Sequence, residues 1–379
     1  MKTISKITMY VLFFVLAVLF GSGIVATSAN AEEIKEFETS AESMVVMETS
    51  TGRILASKDE NKKLPMASLT KIITAIVAIE NTADLDIPLE IPAEAQGIEG
   101  SSIYLRTGEH LSMRQLLYGL MLRSGNDAAV AISILCAGSV EEFMQKCNDF
   151  CKSIGAENTN LVTPSGLHND NHYSTAKDLA TISSYALKND IFAKVVSTTE
   201  TRIPNEKGKY DHRLLKNKNK FLTTFVGADG IKTGYTKKAG RCFVGSGTRD
   251  GMQVVCVLLN CRPMFEECKI LCEQAFEKYS MQKVVASDNV FETTIQDKTI
   301  YASPQKDIFY PLKDDEISSI ELKETFDNDL SLPINDNQKV GIVEIFIDKN
   351  FILCDNIYST ESVDDNSYRG ALDKVITNF

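Results

Sequence analysis

The apolar residues of this 379-residue chain change their spacing near Gly227. Before this point they recur every three or four residues behind Pro65, Ser112 and Asp127, which predicts three amphipathic helices. Ser112 and Gln115 also form the pattern of a helix-capping box. Beyond Gly227 the apolar residues form short runs of strand length. The chain therefore combines a helical region with a later β region.

The order of the predicted elements gives an α+β fold class. Consecutive strands form an antiparallel sheet, and helices on its faces, including one predicted over residues 266–279, make a layered sandwich. The packed helices between residues 65 and 135 predict an all-helical region beside this sheet. The strands are predicted as two within residues 41–55 and one each over residues 230–235, 241–248 and 252–259, with a tight turn at Asp250-Gly251.

Residues 281–365 have a different character, with short runs of Val, Ile, Thr and Phe broken by Asp, Asn and Pro. Residues 340–347 and 351–354 predict a hairpin. We therefore expect a separate all-β domain over residues 281–365, after a first domain over residues 32–280.

The two ends of the chain predict segments outside these domains. Residues 1–31 have a basic start, an apolar run and a small-x-small site at residues 29–31, which indicates a signal peptide. An uncleaved N-terminal anchor is the alternative. The tail over residues 366–379 has one apolar helical face but only two cations, so it predicts at most peripheral membrane contact.

The charge of the chain argues against nucleic-acid binding. The formal net charge is -11, and an acidic chain repels phosphate backbones unless a basic stripe overrides it. Lys216, Lys218 and Lys220 are close in sequence, but few aromatic residues accompany them. We interpret this segment as a solvated loop.

The cysteines and histidines do not predict a metal site or another cofactor. Nine cysteines are present, and two pairs, beginning at Cys147 and at Cys268, are spaced four apart. Without the C-x-x-C spacing of common metal sites, we interpret these pairs as small buried hydrophobic residues. His168 and His172 are also four apart, but Asn169 stands where a zinc helix requires Glu.

A serine and a lysine near the start of the first helix carry the first chemical motif. Ser68 and Lys71 are three residues apart, so on a helix their side chains meet. A serine hydroxyl needs a base to become a nucleophile, and a lysine can be that base only if desolvation or nearby cations lower its pKa. The apolar residues behind Lys71 provide a desolvating wall. Alone, the pattern is equally typical of a helix start with a polar first turn.

Two further motifs follow at the junctions of other elements. Ser124-Gly125-Asn126 lies between two helices, where Ser124 can relay a proton and the Asn126 amide can bond to a substrate backbone and to Lys71. Its alternative is a helix C-cap followed by an N-cap. Lys232-Thr233-Gly234 lies on the first predicted strand of the sheet. Lys232 and Thr233 would face a terminal carboxylate, and Gly234 would leave room for a substrate to lie beside the strand. The alternative is an ordinary strand end.

The three motifs in this order resemble the penicillin-binding protein and serine β-lactamase superfamily. The surrounding sequence resembles its D-alanyl-D-alanine carboxypeptidase branch over about residues 40–280, and residues 281–365 do so by position and composition alone. The strings that carry the likeness are Pro65-Met66-Ala67-Ser68-Leu69-Thr70-Lys71, Gly100-Ser101-Ser102, Leu116-Leu117-Tyr118-Gly119-Leu120, Ser124-Gly125-Asn126-Asp127-Ala128-Ala129, His172-Tyr173-Ser174-Thr175-Ala176 and Gly230-Ile231-Lys232-Thr233-Gly234-Tyr235-Thr236.

This resemblance implies acyl transfer without a cofactor. Ser68 would attack the carbonyl of the penultimate D-alanine of a peptidoglycan stem peptide, with Lys71 as base and Ser124 passing a proton to the leaving D-alanine. The backbone N–H groups of Ser68 and Tyr235 would form the oxyanion hole. Penicillins and other β-lactam antibiotics would acylate the same serine.

Some features depart from the family pattern. Many relatives have His where this chain has Ser165, so we expect the loop around it to position substrate differently. A β-lactamase is the first alternative, but no Glu-x-x-Leu-Asn element lies between Asn126 and Lys232, and Gly125 replaces Asp in the second motif. A D,D-endopeptidase or transpeptidase of the same family stays open. A non-catalytic wall-binding module would lack Ser68, Lys71 or Lys232, and all three are present.

Overall fold

The computed structural model describes residues 37–365. The predicted signal peptide and the predicted tail lie outside the described residues. Within them no helix is long and apolar enough to cross a membrane. The α+β fold class predicted from the sequence is confirmed.

The helices of the described part precede and flank the main sheet. A 3-10 turn over Ala67–Leu69 precedes the first of them, so Ser68 lies in that turn and Lys71 in the α-helix behind it. The predicted helix behind Pro65 thus exists but begins a few residues later. The α-helices are α1 (Thr70–Glu80), α2 (Met113–Leu122), α3 (Asn126–Ala137), α4 (Val140–Ser153), α5 (Ala176–Leu187), α6 (Asp190–Ser197), α7 (Phe221–Thr224) and α8 (Met264–Lys278).

Local sequence explains how these helices begin and end. Ser112 caps α2, and Ser112 and Gln115 form the reciprocal capping box that the sequence predicts. Gly138 ends α3 with φ 85°, a left-handed conformation that glycine adopts without steric cost. Asn126 is the first residue of α3, one residue before the predicted start.

The central sheet has five antiparallel strands in the order β2-β1-β9-β8-β7. The chain enters the sheet near its start and returns to it after the helical region through β7, the first strand of the meander, which lies at the edge. The strands are β1 (Ser43–Glu48), β2 (Ile54–Lys58), β3 (Pro88–Glu90), β4 (His110–Ser112), β5 (Glu200–Pro204), β6 (His212–Lys216), β7 (Ala228–Thr236), β8 (Gly240–Arg249) and β9 (Met252–Leu259). The short strands β3 and β4 pair with each other, as do β5 and β6.

The C-terminal strands form two further sheets, one of two strands (β10 and β13) and one of five in the order β11-β12-β16-β15-β14. The predicted hairpin is present as β15 and β16. The strands are β10 (Ser280–Val285), β11 (Phe291–Ile295), β12 (Lys298–Ser303), β13 (Ile308–Leu312), β14 (Ile320–Phe326), β15 (Lys339–Ile347) and β16 (Asn350–Ser359).

Two separate apolar cores support the predicted division of the chain near residue 281. One core joins the helical region to the central sheet and contains residues from Val45 to Leu259. The other contains residues from Val284 to Ile357. Because each region buries its own apolar surface, we propose residues 32–280 and 281–365 as the two domains.

The predicted burial of the paired cysteines is confirmed. Cys147, Cys151, Cys268 and Cys272 are all buried, and none forms a disulfide. A side chain at Gly245 would lie 2.4 Å from the sulfur of Cys268, so this cysteine fills the space that the glycine leaves.

Arg53 joins the central sheet to the C-terminal region. Its guanidinium donates to the carbonyl oxygen of Pro311 and pairs with the carboxylate of Glu316. It also lies over the rings of Tyr279 and Tyr310, 5.1 and 5.2 Å from their centroids. The planar guanidinium suits this combination of bonding and stacking.

We predict that Arg53→Met lowers the free energy of unfolding by about 2 kcal/mol, because it removes hydrogen bonds that involve charged, partly buried groups. Arg114→Met is the matched control. Arg114 pairs with Asp86 on an exposed surface, where solvent screening leaves such a pair little effect on stability. Urea unfolding of both variants measures the difference in the free energy of unfolding. Equal losses would show that the Arg53 contacts contribute no more to stability than an exposed ion pair does.

Candidate active site

The first motif lies at the junction of a helix and a turn. Lys71 Nζ lies 2.9 Å from Ser68 Oγ, as the i, i+3 spacing predicts. Ser68 is half-buried and lines an open groove, whereas the side chain of Lys71 is fully buried behind it. The serine hydroxyl is therefore accessible, and the amine reaches it from the protein interior.

Two oxygens besides that of Ser68 surround the Lys71 amine. Asn126 Oδ1 lies 2.8 Å and the carbonyl oxygen of Ser165 lies 2.6 Å from Nζ. The orientation of the Asn126 amide follows from its other end, where Nδ2 donates to the carbonyl oxygen of Glu99 at 2.6 Å. Both oxygens near Nζ can therefore only accept hydrogen bonds.

This environment determines where the lone pair of a neutral Lys71 amine points. A neutral amine has two N–H donors and one lone pair. The Ser165 carbonyl and Asn126 Oδ1 take the two donors because neither can donate in return. The lone pair is then directed at Ser68 Oγ, where it can accept the hydroxyl proton. In the charged form the third N–H donates to the same oxygen.

Burial lowers the pKa of Lys71 well below its usual range, and the positive charges of Lys232 and Lys218 lower it further. The carboxylate of Asp127 has the opposite effect. Burial also lowers the pKa of Lys232 to about 7, with a further contribution from Lys218. Burial of the Lys71 amine and the positive charges of two neighbouring lysines thus favour loss of its proton beside Ser68.

The third motif lies on β7, the edge strand of the central sheet. A side chain at Gly234 would lie 3.0 Å from the carbonyl oxygen of Met66 and 3.2 Å from the backbone nitrogen of Ser68. The lack of a side chain at Gly234 therefore lets β7 pack closely against the backbone of the serine turn (Ala67–Leu69). The close approach places Thr233, Gly234 and Tyr235 along the same groove as Ser68.

The groove has a volume of about 390 Å³, and several cations line it. Lys218, Lys220 and Arg241 line it, and the two lysines are exposed residues of a loop, as the sequence predicts. Lys232, which we expected to face a carboxylate directly, is buried, and its Nζ donates to the carbonyl oxygen of Thr233. The position of Lys218 and Lys220 beside the groove depends on the path of the chain between β6 and α7. The local sequence does not predict that path.

Ser124, from the second motif, also lines the groove. It has a positive φ of 61°, which is uncommon for a residue other than glycine. Ala67, just before Ser68, likewise has a φ of 49°. Strained backbone of this kind persists where the surroundings determine it, and it is frequent at functional sites.

Asp127 holds the loop that contains Ser101, a residue that lines the groove. Its buried carboxylate accepts hydrogen bonds from the backbone N–H groups of Ile103 and Leu105 and from the hydroxyl of Ser102. The backbone N–H of Asn126 donates to the carbonyl oxygen of Ser101, another residue that lines the groove. Sequence analysis did not assign this role to Asp127, although an acidic residue in the first turn of a helix is a common capping signal.

Comparison with known proteins agrees with this arrangement. The sequence model of the D-alanyl-D-alanine carboxypeptidase family matches residues 26–262, and that of the C-terminal domain of penicillin-binding protein 5 matches residues 279–365. The fold and site therefore define a serine enzyme of the penicillin-binding class. The chain belongs to the D-alanyl-D-alanine carboxypeptidase family.

Among characterised relatives, the D-alanyl-D-alanine carboxypeptidase DacF of Bacillus subtilis (strain 168) is 33% identical over 233 residues, which is 60% of this chain and 59% of that protein. The DacA carboxypeptidase of Haemophilus influenzae is 27% identical over 382 residues, with 94% of this chain and 95% of that protein covered. The match to DacF thus spans under two thirds of that relative's length.

Solved structures give the same result. Penicillin binding protein 5 from Haemophilus influenzae superposes with a TM-score of 0.73 at 26% identity, over 86% of this chain and 98% of that one. A D-alanyl-D-alanine carboxypeptidase from Mycobacterium tuberculosis H37Rv superposes with a TM-score of 0.61 at 29% identity, over 65% and 95%.

The packing of the serine turn gives a prediction about stability. Gly166 and Gly155 both have φ 80°, so alanine at either position costs about 1 kcal/mol in backbone strain. A side chain at Gly166 would also lie 1.9 Å from the carbonyl oxygen of Ala67, whereas nothing lies within 4 Å at Gly155. We expect Gly166→Ala to lose at least about 2 kcal/mol more than Gly155→Ala in urea unfolding. Similar losses of stability in the two variants would mean that the loop containing Gly166 does not pack closely against the serine turn.

Proposed function

We propose that this chain is a serine D-alanyl-D-alanine carboxypeptidase that removes the terminal D-alanine from peptidoglycan stem peptides. The observation that carries the proposal is the buried Lys71 amine, 2.9 Å from the groove-facing hydroxyl of Ser68. Nucleophile and base are within hydrogen-bond distance, and the base has a lowered pKa. The substrate must therefore contain a carbonyl group that Ser68 can attack.

In the first step Lys71 takes the Ser68 proton while Oγ attacks the carbonyl carbon of the penultimate D-alanine. The negative charge that develops on the carbonyl oxygen would be stabilised by the backbone N–H groups of Ser68 and Tyr235. The position of the Ser68 backbone nitrogen beside Gly234, the residue before Tyr235, supports this pair of donors. Each such donor commonly contributes about 3 kcal/mol to transition-state stability.

The second step releases the leaving D-alanine and then the acyl group. Ser124, which lines the groove, would pass the proton from Lys71 to the departing amine. Water then hydrolyses the ester on Ser68. Asn126 holds Lys71 in place throughout, so that the amine can act first as base and then as acid.

The groove also suits the C-terminal end of a peptide. β7 is an edge strand, and an extended peptide can bind beside such an edge as an added strand. Lys218, Lys220 and Arg241 provide cations for the terminal carboxylate, and Thr233 provides a hydroxyl. Lys232 does not bind the carboxylate in this proposal. It contributes through its positive charge, which lowers the pKa of Lys71.

This proposal includes the setting in which the reaction occurs. The predicted signal peptide over residues 1–31 supports action outside the cell membrane, where stem peptides are found. Penicillins would acylate Ser68 because their strained amide resembles the D-alanyl-D-alanine end. The same geometry would serve a D,D-endopeptidase, and the test substrate distinguishes the two by its leaving group.

We predict that Ser68→Ala abolishes release of D-alanine from diacetyl-Lys-D-Ala-D-Ala, with a loss of up to about 10⁶-fold, since the nucleophile is removed. D-alanine is measured over time in the purified protein. Ser153→Ala, a change of an exposed serine at the end of α4, is the control and should leave release unchanged. Release that persists in Ser68→Ala, or an inactive parent protein, would contradict the proposed reaction.

A further inference from the structure

His172 is a buried histidine with partners at both ring nitrogens. Its Nδ1 lies 3.0 Å from the backbone nitrogen of Val162 and 3.3 Å from that of Thr163. Its Nε2 lies 2.8 Å from Thr70 Oγ1. The side chain is buried, so these partners are not exchanged for water.

The partners determine which nitrogen of His172 carries the proton. A backbone N–H can only donate, so Nδ1 must accept and carries no hydrogen. The neutral ring therefore has its proton on Nε2, which donates to Thr70 Oγ1. The Thr70 hydroxyl in turn donates to the carbonyl oxygen of Ala67 at 2.8 Å. The chain of hydrogen bonds thus has a single direction from Val162 to Ala67.

This chain joins two segments of the site. Val162 and Thr163 begin the loop that carries Ser165, whose carbonyl oxygen accepts from Lys71. Ala67 and Thr70 flank Ser68 and precede Lys71. A second bond, from Thr74 Oγ1 to the carbonyl oxygen of Pro164 at 2.8 Å, attaches the same loop to α1. His172 therefore connects the loop that contains Ser165, the acceptor for Lys71, to the turn that contains Ser68.

We propose that His172 is a positioning residue for the reaction: as the neutral Nε2–H tautomer it fixes the loop at Ser165 against the serine turn, so that the Lys71 lone pair stays directed at Ser68 Oγ. This inference rests on the proposed function. His172 does not touch the groove, and it acts through Thr70 and through the Ser165 carbonyl. A loose Ser165 carbonyl leaves one N–H of the amine without a fixed acceptor, and the amine can then turn.

The network also opposes protonation of His172. The charged ring would place a hydrogen on Nδ1 facing two N–H donors. Burial lowers the pKa of His172 to about 4, with further lowering by the positive charge of Lys71 and by His168. Because the folded-state pKa lies below the unfolded one, this group stabilises the fold above its unfolded pKa, and the contribution is lost as pH falls toward about 4.

The first test reads the tautomer directly. Nitrogen-15 NMR of histidine-labelled protein distinguishes Nδ1–H, Nε2–H and charged rings, and the spectrum of His172→Asn assigns the His172 signals. We expect a neutral Nε2–H ring at pH 6 that charges only near pH 4. An Nδ1–H ring, or protonation near the ordinary pKa of about 6.5, would overturn the proposal.

The second test separates positioning from simple stability. Thr70→Val keeps the shape of the side chain but removes the hydroxyl. We expect the rate constant for acylation of Ser68 by a fluorescent penicillin to fall about 10²-fold, the effect of a misplacement of about 1 Å. The non-covalent binding step should be unchanged, because no groove residue is altered. Thr70→Ser restores the hydroxyl and should recover most of the rate.

His168→Asn is the matched control, since it changes a loop histidine that is half-exposed and makes no contact with Thr70 in the described network. It should react as the parent does. A reactive parent with an equally reactive Thr70→Val variant would overturn this inference alone. A parent that does not react with penicillin would instead remove the proposed function, and this inference with it.

Discussion

The site depends on keeping a lysine side chain completely out of water. An isolated ammonium group in such a place is costly, and proteins commonly respond by a lowered pKa. Here burial is combined with two further cations and with acceptors at each N–H direction. The result is an amine that is both easily deprotonated and fixed in orientation. A flexible or exposed lysine at residue 71 would have neither property.

Close approach of two backbones makes this burial possible. Gly234 on β7 and Gly166 in the loop both lie against the turn that contains Ala67 and Ser68, and a side chain at either would meet backbone atoms there. The edge strand and the loop thus enclose the serine turn from two sides. Lys71 is covered as a consequence, while the hydroxyl of Ser68 remains in the groove.

Much of this arrangement could be predicted from the sequence, because the signals are local. The spacing of apolar residues predicts the helices and the meander. Asp250-Gly251 predicts the tight turn between β8 and β9, and the capping box predicts the start of α2. The meeting of Ser68 and Lys71 followed from their spacing alone. The short pairs β3–β4 and β5–β6 are too brief for a periodic pattern and were not predicted.

The parts that the sequence could not predict depend on contacts between distant segments. Lys218 lines the groove. Ser165 accepts a hydrogen bond from Lys71 through its carbonyl oxygen rather than its side chain. Neither contact can be predicted from the local sequence. The sequence predicts an ordinary loop histidine at His172, yet its ring connects Thr70, 102 positions earlier in the chain, to Val162, 10 positions earlier. The close approach of β7 to the serine turn at Gly234 also has no local signature, because the two segments are far apart in the sequence.

The most direct measurement is the titration of Lys71 itself. Carbon-13 NMR of protein labelled at the lysine Cε atoms follows the charge of each amine with pH, and Lys71→Arg identifies the Lys71 signal. The account predicts that this amine loses its proton well below the ordinary lysine value of about 10.4. Titration together with the exposed lysines, near that ordinary value, would show that Lys71 cannot serve as the base and would contradict the account.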